Sequence, residues 1–188
     1  MMRTQLSGNL AVKETIARVQ DSTFDVRPIA VSDAAAYLDL CRQLDRETSF
    51  MLYEPDERTT TVDEQREQIQ SILRTENQMY FVAESGHRLV GHVQAYGGSH
   101  RRNRNTVHLV VGVLQAYSRK GIGAALLRIM EEWARNVGIH RLELTVMTHN
   151  LAAVNLYRKA GFEIEGTMRH TLFVDGRYVD EYIMGKVI

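Results

Sequence analysis

Residues 111–126 read Val-Gly-Val-Leu-Gln-Ala-Tyr-Ser-Arg-Lys-Gly-Ile-Gly-Ala-Ala-Leu, which passes from a strand-like segment through a short loop into a helix. A helix that starts in this way leaves its first backbone N–H groups without intrahelical partners. Glycine at positions 121 and 123 keeps side chains away from those groups, and the helix dipole adds positive potential. The segment therefore predicts a site for a phosphate or pyrophosphate, although two glycines can also serve only to make a tight turn.

The segments on either side of this turn have regular hydrophobic patterns. After it, Leu126, Met130 and Trp133 recur at helical spacing, and Gly138 stands where a left-handed helix cap belongs. Before it come three strand-like runs separated by short turns, which predict an antiparallel meander. These runs are residues 78–84, 89–96 and 106–114.

The rest of the chain alternates between strand-like and helix-like patterns. Further strands are predicted at residues 24–29, 141–147, 162–164, 171–174 and 178–187. Further helices are predicted at residues 34–47, 61–73 and 150–160. The sequence thus predicts an α/β fold, with a single mixed, mostly antiparallel central sheet of about seven strands flanked by about four helices.

The composition is that of one globular domain. The 188 residues carry 23 Lys and Arg against 23 Asp and Glu, and 44% are hydrophobic. We assign residues 24–188 to one domain and residues 1–23 to an N-terminal extension, either an added helix or a frayed arm. A net charge of zero provides no general field for nucleic acid or acidic membranes, so we expect neither as a partner.

Cysteine and histidine usage bears on compartment and metal content. Cys41 is the single cysteine, so it cannot form an internal disulfide or a cysteine-based zinc site. The histidines show no spacing typical of metal ligands. We therefore expect a cytoplasmic protein without a bound metal.

Two familiar phosphate-binding motifs fit the glycine turn poorly. A dinucleotide-binding fingerprint needs a third small residue at position 126, where this chain has Leu126. A P-loop needs Gly-Lys followed by Ser or Thr, where this chain has Gly-Ile-Gly-Ala. A nicotinamide-dependent oxidoreductase remains a distant alternative, and nucleotide triphosphate chemistry has no support.

The turn, read together with a second motif, resembles a known family. Residues 150–162 read Asn-x-x-Ala-x-x-Leu-Tyr-x-Lys-x-Gly-Phe. With the Arg-Lys-Gly-Ile-Gly-Ala turn at residues 119–124, this segment resembles the GNAT superfamily of N-acetyltransferases. Two C-terminal segments, residues 165–169 and 174–184, resemble the branch that contains polyamine, ribosomal-protein and L-amino-acid acetyltransferases. The resemblance covers residues 24–188 and implies the GNAT fold. It also implies a possible homodimer, because family members often pair.

The resemblance also implies which residues bind acetyl-CoA. The turn would hold the pyrophosphate, and the preceding strand would pair with the pantetheine arm through its backbone. Asn150 and Tyr157 would contact the cofactor, with Tyr157 near the sulfur. Ser118 departs from the Arg or Gln usual at its position. The residues implied for the turn and the strand are Arg119, Lys120, Gly121, Ile122, Gly123, Ala124, Val111 and Val113.

Acetyl transfer from a thioester to a primary amine needs a proton acceptor and a protonated leaving thiol. An unperturbed imidazole is mostly neutral at neutral pH, which makes His108 our candidate base, although a strand histidine can also simply bond to a neighbour. Tyr157 is our candidate acid. Cys41, on the apolar face of a predicted helix, is not expected to act as a nucleophile. We expect direct transfer within a ternary complex; the alternative is a catalytically silent CoA-binding sensor or interaction module.

The acceptor pocket is predicted in the loop between the first two helices, where the family places its substrate-covering segment. Phe50, Met51, Tyr53 and Glu54 are the candidates, and Glu54 would suit a cationic amine. The same loop could instead be held on the core by its apolar residues. Asp180 and Glu181 on the last strand could line the same pocket or only form salt bridges.

Overall fold

A computed structural model of the chain describes residues 19–20 and 23–188. Most of the extension predicted as a helix or frayed arm over residues 1–23 therefore lies outside the described residues. The strands are β1 (Val19–Gln20), β2 (Asp25–Pro28), β3 (Gln78–Ser85), β4 (Arg88–Gly97), β5 (Thr106–Val113), β6 (Arg141–Met147), β7 (Glu163–Val174) and β8 (Arg177–Val187). The α-helices are α1 (Ala34–Glu47), α2 (Val62–Arg74), α3 (Ile122–Asn136) and α4 (Leu151–Lys159).

The strands form one open, mixed sheet in the order β1-β2-β3-β4-β5-β6-β8-β7. Neighbouring strands are antiparallel except β5 and β6, which are parallel. The predicted α/β class, with about seven strands and four α-helices, is confirmed, and the two-residue strand β1 is added at one edge. The two pieces predicted at 162–164 and 171–174 are the ends of one strand, β7, whose register with β8 shifts between Met168 and Leu172.

Helices α1 and α3 lie on opposite faces of the sheet. A Cβ placed on Gly112 would meet Leu44 of α1, whereas a Cβ placed on Gly91 would meet Ile122 of α3. Gly91 is paired with Val113, the residue after Gly112, and successive strand residues point to opposite faces. The α1 face and the α3 face are therefore distinct surfaces of β5.

Helix α3 forms the centre of the core, as its pattern predicts. Leu126, Met130 and Trp133 are fully buried in one hydrophobic cluster that extends over the sheet. Truncating a buried Trp to Ala typically costs about 3–5 kcal/mol, so the burial of Trp133 contributes strongly to holding α3 on the sheet. None of the helices in the described ranges is long and apolar enough to cross a membrane.

Candidate functional site

The sheet splits between β5 and β6. Their parallel pairing consists of Thr106 with Arg141, Val107 with Leu142, and His108 with Glu143. Beyond His108, β5 continues to Val113 paired only with β4, and β6 continues paired only with β8. An unpaired strand edge inside a sheet is unusual, because backbone N–H and C=O groups need partners. The split therefore offers a row of hydrogen-bonding groups to an extended ligand.

The backbone groups that face the split can be identified from the strand geometry. The N–H of Leu114 donates to the carbonyl of Val90 on β4 at 2.9 Å. Because N–H directions alternate along a strand, the backbone groups of Val111 and Val113 point the other way, into the split. These are the residues whose backbone we expect to pair with a pantetheine arm.

The split is part of a cleft of about 1140 Å³. Most of the residues predicted for the site line this cleft. They are His108, Val111, Val113, Arg119, Gly121, Gly123, Ala124, Asn150, Tyr157, Phe50 and Met51. Lys120, Ile122, Tyr53 and Glu54, also predicted, are not among the lining residues.

The start of α3 opens into this cleft without a cap. No side chain among the described residues caps the helix, and its first backbone bond runs from the N–H of Ala125 to the carbonyl of Gly121 at 3.0 Å. Gly121 has φ of 85°, a left-handed conformation that favours glycine. A Cβ on Gly123 would lie 2.9 Å from Cδ2 of Leu156 on α4. The earlier amides of the helix are thus free to bind an anion.

Two residues of the turn have their side chains elsewhere. Ile122 is buried in the core, so only its backbone N–H can reach a ligand. The ammonium of Lys120 lies 4.8 Å from the centroid of the Tyr117 ring. The hydroxyl of Ser118 donates to the carbonyl of Leu114 at 3.4 Å, within the loop itself.

Helix α4 places two predicted residues on the cleft wall. The side-chain oxygen of Asn150 accepts the N–H of Ala153 at 3.2 Å, so Asn150 is the N-cap of the helix. Tyr157 is buried beside Phe162, with 6.0 Å between the ring centroids. Burial raises the pKa of Tyr157 to about 12. Its phenol therefore stays protonated at neutral pH and can act as a hydrogen-bond donor.

His108 marks the point where the two strands separate. It is the last β5 residue paired with β6, and its partly buried side chain lines the cleft. Its ring forms no hydrogen bond with any described residue. The imidazole is thus available to a ligand or a water molecule in the cleft.

Residues 39–162 match the model of the Acetyltransferase (GNAT) family. The chain belongs to this family. It is 35% identical over 100 residues to the L-amino acid N-acetyltransferase AaaT of Escherichia coli K12. The matched segment covers 53% of this chain and 62% of that relative. The chain thus spans less than two thirds of that relative's length.

Solved structures of GNAT proteins have the same fold. A GNAT acetyltransferase from Streptococcus pneumoniae is 31% identical, with a TM-score of 0.85 over 88% of this chain and 99% of that one. YncA from Salmonella typhimurium, solved with acetyl-CoA, is 22% identical, with a TM-score of 0.78 over 88% of this chain and 94% of that one. The sheet and helices described above are therefore those of a GNAT protein.

The α1–α2 loop of this GNAT chain brings only part of the predicted acceptor segment to the cleft. Phe50 lines the cleft and packs against His149, with 5.3 Å between the ring centroids. Tyr53 instead lies under the guanidinium of Arg58, whose central carbon is 4.2 Å from the centroid of the Tyr53 ring. Arg58 is in turn held by the buried carboxylate of Asp45 at 2.7 Å. This ion pair fixes Tyr53 outside the cleft.

Glu54 is exposed, and its backbone N–H donates to the carboxylate of Glu57 at 3.0 Å. The cleft wall also contains residues that sequence patterns did not single out, and no local signal identifies them. They are Leu44, Glu47, Thr145, Met147 and Leu172. Glu181, for which two roles were open, lines the cleft.

Cys41, a residue of α1, is buried, and burial raises the pKa of its thiol to about 11. The thiol is therefore a poor nucleophile, in line with the sequence prediction. Within the described part of the chain, no three His, Cys, Asp or Glu side chains are grouped closely enough to hold a metal ion.

Proposed function

We propose that this GNAT protein is an acetyl-CoA-dependent N-acetyltransferase that transfers acetyl to a primary amine by direct attack in a ternary complex. One observation carries the proposal: a single cleft joins the uncapped start of α3, the unpaired edge of β5 and the phenol of Tyr157. The relative AaaT is named an L-amino acid N-acetyltransferase, and the YncA structure contains acetyl-CoA. The first name supports acetyl transfer to an amine here, and the second structure supports acetyl-CoA as the cosubstrate.

The residues of the cleft fit the parts of acetyl-CoA. The pyrophosphate would accept N–H groups from Ile122, Gly123 and Ala124, with Arg119 adding positive charge. The amide-containing pantetheine arm would complete the unpaired edge of β5 through Val111 and Val113, as an added strand does. The thioester oxygen would accept an N–H from the same edge. Asn150 would contact the cofactor from the start of α4.

The reaction forms a C–N bond and breaks the C–S bond of the thioester. The attacking amine loses a proton, which His108 accepts directly or through water. The departing thiolate gains a hydrogen bond from Tyr157. Because the pKa of Tyr157, about 12, lies above the usual 8.5 of a thiol, this phenol stabilises the leaving group mainly as a donor rather than by full proton transfer.

Other features of the proposal concern the setting of the enzyme. The acceptor amine would enter beside Phe50 and Met51, the members of the predicted segment that line the cleft. We propose a cytoplasmic enzyme that needs no metal and binds neither nucleic acid nor membrane. A homodimer is part of the same proposal, because members of this family often pair.

Substitution of Tyr157 by Phe tests the chemistry. We expect Tyr157→Phe to lower kcat for thiol release by about tenfold or more, because one donor to the leaving group is lost. Heat protection by acetyl-CoA should persist, because the phosphate-binding helix start is unchanged. Tyr178→Phe is the matched control, since Tyr178 is exposed and outside the cleft.

Three outcomes distinguish this function from its alternatives. Unchanged turnover in Tyr157→Phe would remove the assigned role of that phenol. Heat protection by CoA without thiol release across a panel of amines would favour the silent CoA-binding module. Protection by NADH but not by CoA would revive the oxidoreductase.

A further inference from the structure

Two carboxylates line the cleft within the described residues, and they differ in their surroundings. Glu47, at the end of α1, accepts the backbone N–H of Gln115 at 2.8 Å and the side-chain amide of Gln43. The carboxylate of Glu181 forms no hydrogen bond or ion pair with any described residue. Glu47 thus holds the loop before α3 in place, whereas Glu181 presents an unused carboxylate to the cleft.

The strand register gives the face on which Glu181 lies. His108 is opposite Glu143 across the β5–β6 pair, and Met147 is opposite Glu181 across the β6–β8 pair. Directly opposite residues share a face, and every second residue along a strand returns to it. Glu181 therefore lies on the same face as His108 and Gly112, which is the α1 face.

This part of the α1 face lies beyond the helices that cover the other half of the sheet. Helices α1 and α2 pack over β3 and β4, on the far side of the split. On β8, Tyr182 and Met184 point to the opposite face and join the hydrophobic cluster, whereas Glu181 does not. Glu181 is therefore part of the cleft wall rather than of the core.

Glu181 is too far from β5 to act on the reacting amine itself. Neighbouring strands are about 4.8 Å apart, and β6 lies between β5 and β8, so Glu181 is at least about 10 Å from β5 at the backbone. The thioester is proposed to lie along β5. The carboxylate can therefore reach the remainder of an acceptor whose amine is at the thioester.

The Arg and Lys side chains that line the cleft are on other elements than Glu181. Within the described lining, they are Arg119 and Lys159. Arg119 is in the loop that enters α3, and Lys159 is on α4, whose Leu156 contacts the start of α3. Within the described cleft lining, no Arg or Lys belongs to β6, β7 or β8, the strands around Glu181.

We propose that Glu181 determines acceptor specificity by binding a second ammonium group, so that the preferred acceptor is a diamine or polyamine and not a free amino acid. The reacting amine must lose its charge before attack, whereas a second amine, with a usual pKa near 10.4, remains an ammonium ion. A fixed carboxylate attracts that ion and repels an acceptor carboxylate. This role rests on the acetyl transfer proposed above.

Three amines of equal chain length test the proposal: 1,5-diaminopentane, 1-aminopentane and 5-aminopentanoate. In the wild-type protein, kcat/KM should fall in that order. Glu181→Gln should lower the value for the diamine by about fivefold, the upper range for a partly exposed ion pair. It should leave 1-aminopentane within about twofold and raise the value for 5-aminopentanoate.

Glu163→Gln is the matched control. It makes the same change of charge on the neighbouring strand β7, at an exposed position outside the cleft. This variant should retain the wild-type order of the three amines. A ratio of diamine to monoamine that is equal in the wild-type protein and in Glu181→Gln would overturn the proposal.

A binding measurement separates this proposal from the proposed reaction. Calorimetry of 1,5-diaminopentane added to the CoA-saturated protein should show tighter binding to the wild-type protein than to Glu181→Gln. If no amine is acetylated but this difference persists, acetyl transfer is wrong and the ammonium site stands. If the two proteins bind the diamine equally, the role of Glu181 is wrong whether or not turnover occurs.

Discussion

Helices α2 and α3 begin in opposite ways. At the start of α2, the hydroxyl of Thr61 accepts the N–H of Glu64 at 3.3 Å, and the carboxylate of Glu64 accepts the N–H of Thr61 at 2.8 Å. This capping box satisfies the helix start from within the chain. At the start of α3, Gly121 supplies no side chain, and the first amides face the cleft.

The difference between the two helix starts shows where the chain leaves backbone groups open for a ligand at a cost in stability. A helix start with glycine in place of a capping side chain typically forgoes roughly a few tenths of a kcal/mol. In α3 that loss is located at the mouth of the split sheet, beside the unpaired edge of β5. Two sets of backbone groups that proteins normally satisfy internally are thus left open in one cleft, which indicates a site for a ligand.

The largest effect is expected from a substitution that fills the open space at the start of α3. In Gly123→Val, the new side chain would press on Leu156 and cover the amides, because the Cβ position is already 2.9 Å from Leu156 Cδ2. Losing even one hydrogen bond to a charged phosphate costs about 1.5–3 kcal/mol, so acetyl-CoA affinity should fall at least about tenfold. Isothermal calorimetry measures the loss.

Gly166→Val serves as the control for this substitution, because no atom lies within 4 Å of a Cβ at Gly166 on β7 and its φ is not positive. It should bind acetyl-CoA as the wild-type protein does. A folded Gly123→Val protein with wild-type affinity would show that the start of α3 does not bind the cosubstrate.

A smaller effect is expected at the start of α2. Thr61→Ala removes the hydroxyl of the capping box and should lower the free energy of unfolding by about 1 kcal/mol. Acetyl-CoA affinity should be unchanged, because this helix start is not part of the cleft. Urea denaturation measures the loss, with Thr59→Ala, an exposed threonine in the preceding loop, as the control. Altered affinity in Thr61→Ala would contradict the comparison.

Local patterns were sufficient to predict most of the fold. The spacing of Leu126, Met130 and Trp133 gave α3, because a helix face recurs every three to four residues. Strand β7 was predicted as two pieces, because its centre departs from alternation where the register with β8 shifts. That strand is continuous through its pairing with β8, a non-local contact that a pattern along one segment cannot show.

The candidate site was most predictable where it is contiguous in sequence. The turn at residues 119–124 and Tyr157 belong to compact motifs. For Glu181 the sequence left two roles open, and it lines the cleft because β8 lies between β6 and β7. Tyr53 was grouped with Phe50 by its place in the chain. Arg58 packs over Tyr53 outside the cleft and is held there by an ion pair with Asp45. No sequence pattern predicts that Arg58 and Asp45 form this pair.

The smallest effect in this comparison depends on pH. The backbone N–H and hydroxyl of Thr61 donate to Glu64 and lower its pKa below the usual 4.5. A carboxylate with a lowered folded-state pKa adds stability that is present above its unfolded-state pKa and is lost as the pH falls through its folded-state pKa. Glu64→Gln should therefore be less stable than the wild-type protein at pH 7, and the difference should shrink as the pH falls below about 4. Urea denaturation of the two proteins at pH 7 and at a pH below about 4 measures the difference in stability. A difference that does not depend on pH would show that the charge of Glu64 does not contribute to the cap.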